Sequence, residues 1–113
     1  MHEASLARQI LAVVVARATA AGATRVRVVR GWVRESEALS RASLDAHFAA
    51  HAGGTIAQDA RLELAVERLE ARCGACGGVY APEHHVLLCP ACGSGEAELL
   101  GRTGLGVDAL EVE

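Results

Sequence analysis

The cysteines constrain this chain more than any other feature. All four lie in one stretch, Cys73-Gly-Ala-Cys76 and Cys89-Pro-Ala-Cys92, with twelve residues between the two pairs. Two CxxC knuckles at that separation can close four thiolates around one tetrahedral ion, with Zn–S distances of about 2.3 Å. Gly74, Gly77, Gly78 and Gly93 surround the sulfurs. Such glycines are expected to take positive φ and turn backbone amides toward the cysteines. Four protein ligands leave no open coordination position, so the expected role is a structural zinc site rather than a catalytic one. Metal binding at such sites contributes on the order of 10 kcal/mol or more to folding. An iron centre of rubredoxin type uses the same ligands. Two disulfides would require an oxidising compartment, and unligated thiols would leave the paired spacing unexplained.

A chain of 113 residues is one domain, with room for a small satellite. Hydrophobic residues make up 51%, but Trp32, Phe48 and Tyr80 are the only aromatics, so a thin core is expected and a metal staple would compensate for it. The net charge is −3 and there is no lysine, which argues against a nucleic-acid partner. Ile10–Ala16 is a short apolar run followed by small residues, which can pass for an export signal. Glu3 sits in the would-be basic segment, however, and Arg17 closes the run. The run is also too short to cross a membrane. The cytoplasm, where thiols stay reduced, is the expected compartment.

Along the chain, Leu6, Ile10, Val13, Val14 and Arg17 follow a three-four spacing that predicts a helix over 4–21, stopped by Gly22. Thr24–Val33 reads as a strand with a bulge near Val28-Val29. Gly31 fits a point where another backbone approaches closely. A second helix begins at Ser40 as N-cap, with Leu39 and Leu44 as a hydrophobic staple, Leu44, Phe48 and Ala52 on one face, and Gly53-Gly54 at its end. His47 and His51 share a face of that helix, but nothing nearby in the sequence completes a ligand set. Arg61–Arg72 alternates as a strand running straight into Cys73. A short strand is expected at Val86–Leu88 with Glu98–Leu100 beside it, and a last strand at Leu105–Val112 returning to the main sheet.

Met1-His2-Glu3 is the second stretch that carries chemistry. An amino terminus, a backbone amide nitrogen and an imidazole in succession can form fused chelate rings in one plane. Such nitrogen sets suit Ni(II) or Cu(II) and suit tetrahedral zinc poorly. Taken alone the signal is weak.

Taken together, the residues resemble a known family. Met1-His2-Glu3 opening an apolar helix, the Thr55–Leu64 segment, Cys73-x2-Cys76, Cys89-Pro-x-Cys92-Gly-Ser and the closing Leu110-Glu111-Val112 are similar to the HypA/HybF family of hydrogenase nickel-incorporation proteins. The resemblance spans essentially the whole chain. It implies an α+β fold: two helices packed on a small mixed, mainly antiparallel three-stranded sheet, with an inserted four-cysteine zinc-ribbon-like module. The implied division is a nickel-binding α/β domain over 1–72, completed by 101–113, and a zinc module over 73–100. It also implies a nickel metallochaperone and not an enzyme. Ni(II) would be transient cargo held by His2, the Met1 amine and the backbone amides of His2 and Glu3, with the Glu3 side chain in an outer, supporting position. Structural Zn(II) would be held by Cys73, Cys76, Cys89 and Cys92. The implied partners are a nickel-binding maturation GTPase and the large subunit of [NiFe] hydrogenase; some members also serve urease.

The sequence departs from the family's strand-to-helix turn. Val33-Arg34-Glu35-Ser36-Glu37 stands where an Ile/Val-Gly-x-hydrophobic-Ser pattern is usual. Histidines flanking the knuckles are absent, while His84-His85 occupies the loop between them. Two rival readings are a zinc-ribbon module that binds nucleic acid or protein, and a metal-dependent hydrolase. The acidic charge opposes the nucleic-acid form of the first, and the closed four-thiolate site opposes the second.

Overall fold

A computed structural model describes residues 3–35, 39–83 and 86–113. Met1, His2, His84, His85 and residues 36–38 therefore lie outside the described residues, among them Ser36 and Glu37 of the divergent turn. The elements are helix α1 (Glu3–Ala20), strand β1 (Val26–Glu35), helix α2 (Arg41–Ala52) and strands β2 (Arg61–Arg68), β3 (Glu70–Cys73), β4 (Val79–Tyr80), β5 (Ala97–Leu100) and β6 (Gly104–Val112). They form two three-stranded sheets, ordered β2-β1-β6 and β4-β3-β5. The described residues fall into two compact units. One is drawn from Met1–Val33, Leu39–Val66 and Leu105–Glu113, the other from Arg34–Ala38 and Glu67–Gly104.

In the first unit, Leu6, Ile10 and Val14 of α1 recur at helical spacing and are all buried. The helix stops at Gly22, where the Ala23 amide donates back to the Ala18 carbonyl at 2.9 Å. Ser40 caps α2 by accepting from the Ser43 amide at 3.2 Å, and its own amide donates to the Glu3 carboxylate at 3.2 Å. Leu44, Phe48 and Ala52 bury the inner face of α2, and Leu39 packs against the same core, as the sequence periodicity requires. The helix then serves as the crossover between β1 and β2. Arg25 pairs with Asp59 and Arg30 with Glu63, so partners advance together along the two strands and the pair is parallel. Arg25 and Glu113 instead exchange backbone bonds, Glu113 N–H donating to Arg25 O at 2.8 Å, which makes β1–β6 antiparallel. The sheet is mixed for this reason.

Val26, Val29 and Val33 face the core, whereas Val28, although buried, does not join that cluster. The irregular parity of the valines is thus present in the strand. Gly31 marks a close approach: a Cβ there would collide with the Gly106 carbonyl oxygen of β6, and a Cβ on Gly106 would strike the Trp32 indole.

The expected single strand over 61–72 is instead two strands in different sheets. Leu62 and Leu64 are buried on one parity, Leu69, Ala71 and Cys73 on the other. A one-residue change of phase turns the opposite face inward, so the chain leaves the first sheet at Arg68 and starts the second at Glu70. The expected strand at Val86–Leu88 is not formed. Val86 makes only an isolated bridge with Glu83, and both Val86 and Leu88 are exposed. β5 pairs with β3 rather than with that segment, antiparallel from Glu70↔Leu100 to Cys73↔Ala97. On the other side of β3, Ala71 pairs with Tyr80.

Replacing Gly31 with alanine should lower unfolding stability by about 1–3 kcal/mol, because backbone on both strands must move to admit one methyl group. A fall in the urea midpoint at unchanged m-value is the measurement that checks it.

Candidate metal centre

The second unit is built so that two similar loops face each other. In the first knuckle the Cys73 amide donates to Gly78 O at 2.8 Å and the Gly77 amide to Cys73 O at 3.0 Å. In the second, the Cys89 amide donates to Ser94 O at 2.9 Å and the Gly93 amide to Cys89 O at 2.8 Å. Gly77 and Gly93 both have φ of 76°, which closes each loop just after its second cysteine. Gly74 and Gly78, expected to behave likewise, do not take positive φ.

These loops bring the four sulfurs within 4.8 Å of one another. Cys73 Sγ lies 3.5 Å from Cys92 Sγ, and Cys76 Sγ lies 3.6 Å from Cys89 Sγ. A tetrahedron with metal–sulfur bonds of about 2.3 Å needs edges of about 3.8 Å, so the spacing fits a four-thiolate ion. The cysteines are not joined as disulfides. Cys73 and Cys89 are buried, while Cys76 and Cys92 sit at the exposed rim.

The surroundings already favour anionic sulfur at the buried positions. The amides of Cys76 and Ala75, each 3.4 Å from Cys73 Sγ, bring the Cys73 thiol down to about 6. The Cys92 amide is the main cause lowering Cys89. At the rim the balance reverses. The Ser94 amide pulls Cys92 down, but its interaction with Cys73, together with burial and the other thiols, pushes it up to about 12. Cys76 is also raised: the Gly78 amide lowers it, and Cys89 and Cys73 outweigh that. Four like groups in one shell cannot all ionise without a cation. Beside them the Tyr80 hydroxyl is buried with no hydrogen-bond partner among the described residues, and burial first, then Cys89, Cys73 and Cys92, raises its pKa. A partly desolvated shell of four soft donors, two of them biased toward the thiolate, is the chemistry of a bound Zn(II) or iron ion.

At the other end of β3 and β5, Arg34 holds the chain where it runs into and out of the knuckles. Its side chain is 13% exposed and lies 3.9 Å from the Glu67 carboxylate and 3.5 Å from that of Glu70. It donates to Arg68 O at 3.1 Å and Arg102 O at 3.4 Å, and a Cβ on Gly101 would run into its guanidinium. The arginine that departs from the usual glycine therefore has a built receptacle, which the sequence did not reveal.

The remaining sequence candidates are placed as follows. His47 and His51 are exposed on α2, and no third donor joins them among the described residues. Glu3 opens α1 with its carboxylate on the Ser40 amide. Met1, His2, His84 and His85 lie outside the described residues.

A small α+β protein with a four-cysteine metal site mounted on its own sheet is the class that this fold and site define. The family described as hydrogenase/urease nickel incorporation, metallochaperone, hypA matches residues 1–112, and the chain belongs to that family. Among its relatives, the hydrogenase maturation factor HypA of Alkalilimnicola ehrlichii is 33% identical over 113 residues, covering 100% of both chains. That of Prosthecochloris aestuarii is 29% identical, again over 100% of both chains. The solution structure of the Ni metallochaperone HypA from Helicobacter pylori superposes with a TM-score of 0.64 at 22% identity, covering 99% of this chain and 97% of that one, which shows a shared fold.

Since the Cys73 thiol is brought down to about 6, metal uptake at pH 7 should release fewer than four protons per ion. Affinity should fall as pH drops and the thiolates are protonated. Calorimetry of zinc binding in buffers of different ionisation enthalpy gives the proton count.

Proposed function

We propose that this chain carries nickel to a hydrogenase precursor, with two metal sites of opposite character. The family match over residues 1–112, which takes in both Met1-His2-Glu3 and the two knuckles, carries the reading. The family is one of metallochaperones and maturation factors rather than enzymes. On this reading Cys73, Cys76, Cys89 and Cys92 hold Zn(II), which stays in place and maintains the shape of 67–104. The Met1 amine, the His2 imidazole and the backbone amides of His2 and Glu3 hold Ni(II), which must leave. The hydrogen bond from the Ser40 amide to Glu3 supports a positioning role for the Glu3 carboxylate: it ties the residue after His2 to the start of α2.

The proposed recipients are the large subunit of [NiFe] hydrogenase, reached with a nickel-binding GTPase, and in some relatives urease. The proposed compartment is the cytoplasm, where reduced thiols remain available to metal. Among the described residues no helix is long and apolar enough to cross a membrane. The proposed domain division is a nickel-binding part over 1–72 completed by 101–113, and a zinc module over 73–100.

Selection and release follow from the donors. Nitrogen ligands in a plane favour Ni(II) over zinc. Amine and imidazole groups have unperturbed pKa values of about 7.7–8.0 and about 6.5, so protons compete with nickel across the physiological range. Native mass spectrometry with added Ni(II) should show one nickel and one zinc per chain, and His2→Ala should lose the nickel and keep the zinc. Nickel affinity measured by titration calorimetry should fall steadily from pH 8 to pH 6. Undiminished nickel uptake by His2→Ala, or an affinity indifferent to pH, would overturn the assignment.

A further inference from the structure

Helix α2 carries metal-binding chemistry that neither site uses. His47 and His51 are one turn apart on it, with Cβ atoms about 5–6 Å apart as for any such pair. Both are exposed, and no hydrogen bond or ion pair joins either imidazole to another described residue. The helix beneath them is firmly seated: Leu44, Phe48 and Ala52 are buried, and Ser40 caps the start. His51 falls in the last turn, where the carbonyl end of the helix dipole favours a cation. Two imidazoles on successive turns of a rigid helix form a chelate for borderline divalent ions.

We propose that His47 and His51 form a second, low-affinity site for Ni(II) on the outer side of α2. The described residues hold a single group of three or more metal donors, the four cysteines, so this pair supplies two ligands and water supplies the rest. An ion with two protein ligands and several exchangeable waters is held weakly and stays open to attack by a competing donor. The four-thiolate cage offers neither property. A site of this kind suits cargo in transit and concentrates nickel on the carrier. Its purpose rests on the nickel-carrier reading, but binding at the helix can be measured without it.

The test uses the full zinc-loaded chain carrying His2→Ala, titrated with nickel sulfate and followed by NMR. Octahedral Ni(II) is paramagnetic, so the ring signals of His47 and His51 should broaden first, together with the amides around them. Adding His47→Ala or His51→Ala should weaken uptake on the order of tenfold or more, because the remaining imidazole loses its chelate partner. Both positions are exposed, so the thermal transition should not move. Broadening that survives both replacements, that centres on His84-His85, or that is no tighter than for two independent imidazoles overturns the proposal. Titration of the unmodified chain separates the two readings. Nickel found at the amino terminus alone removes the helix site and leaves the carrier; nickel at the helix alone does the reverse.

Discussion

Within residues 67–104 the convergence of four sulfurs supplies what the other unit obtains from apolar packing. The first unit has a contiguous core running through Leu6, Ile10, Val14, Val29, Leu44 and Phe48. The second buries Leu69, Ala71, Cys73 and Cys89, and leaves Val79, Val86, Leu88 and Leu99 exposed. So few buried side chains cannot offset the entropy of ordering a loop-rich segment. A cation that neutralises the thiolates and fixes both knuckles at once can. The backbone has anticipated it: amides already point at Cys73, and the two knuckles repeat one hydrogen-bond pattern.

The proposed function is a separation of duties by ligand chemistry. Thiolates in a closed tetrahedron exchange slowly and keep a shape. Nitrogen donors with exchangeable positions compete with protons and let an ion pass on. A carrier needs both behaviours and cannot obtain them from one site. On the proposed reading the resident ion belongs to the small sheet β4-β3-β5, and the weaker donors belong to the other unit.

Much of this was readable in the residues. Both helices lie within a residue or two of their periodic patterns, because Leu6, Ile10 and Val14, and Leu44, Phe48 and Ala52, each have one face to bury. The knuckle spacing is a chemical requirement, so the cluster followed from it directly. What misled was continuity. Alternation from Arg61 to Arg72 looked like one strand, although the burial phase changes between Leu64 and Leu69 and that change moves the chain from one sheet to another. Val86–Leu88 has strand-forming composition, but β3 already has Tyr80 on one side and Leu99 on the other, so no ladder remains for it. The receptacle for Arg34 is a long-range arrangement of Glu67, Glu70 and two backbone carbonyls, and local pattern carries no trace of it.

That receptacle couples two positions far apart in the chain. A guanidinium at 34 and any side chain at 101 compete for one volume. Without the guanidinium, Glu67 and Glu70 would lose a cation that stands close to both carboxylates. A side chain at 101 would have to push aside the end of the Arg34 side chain and also adopt a φ of 75°, so a steric and a conformational demand both favour glycine there.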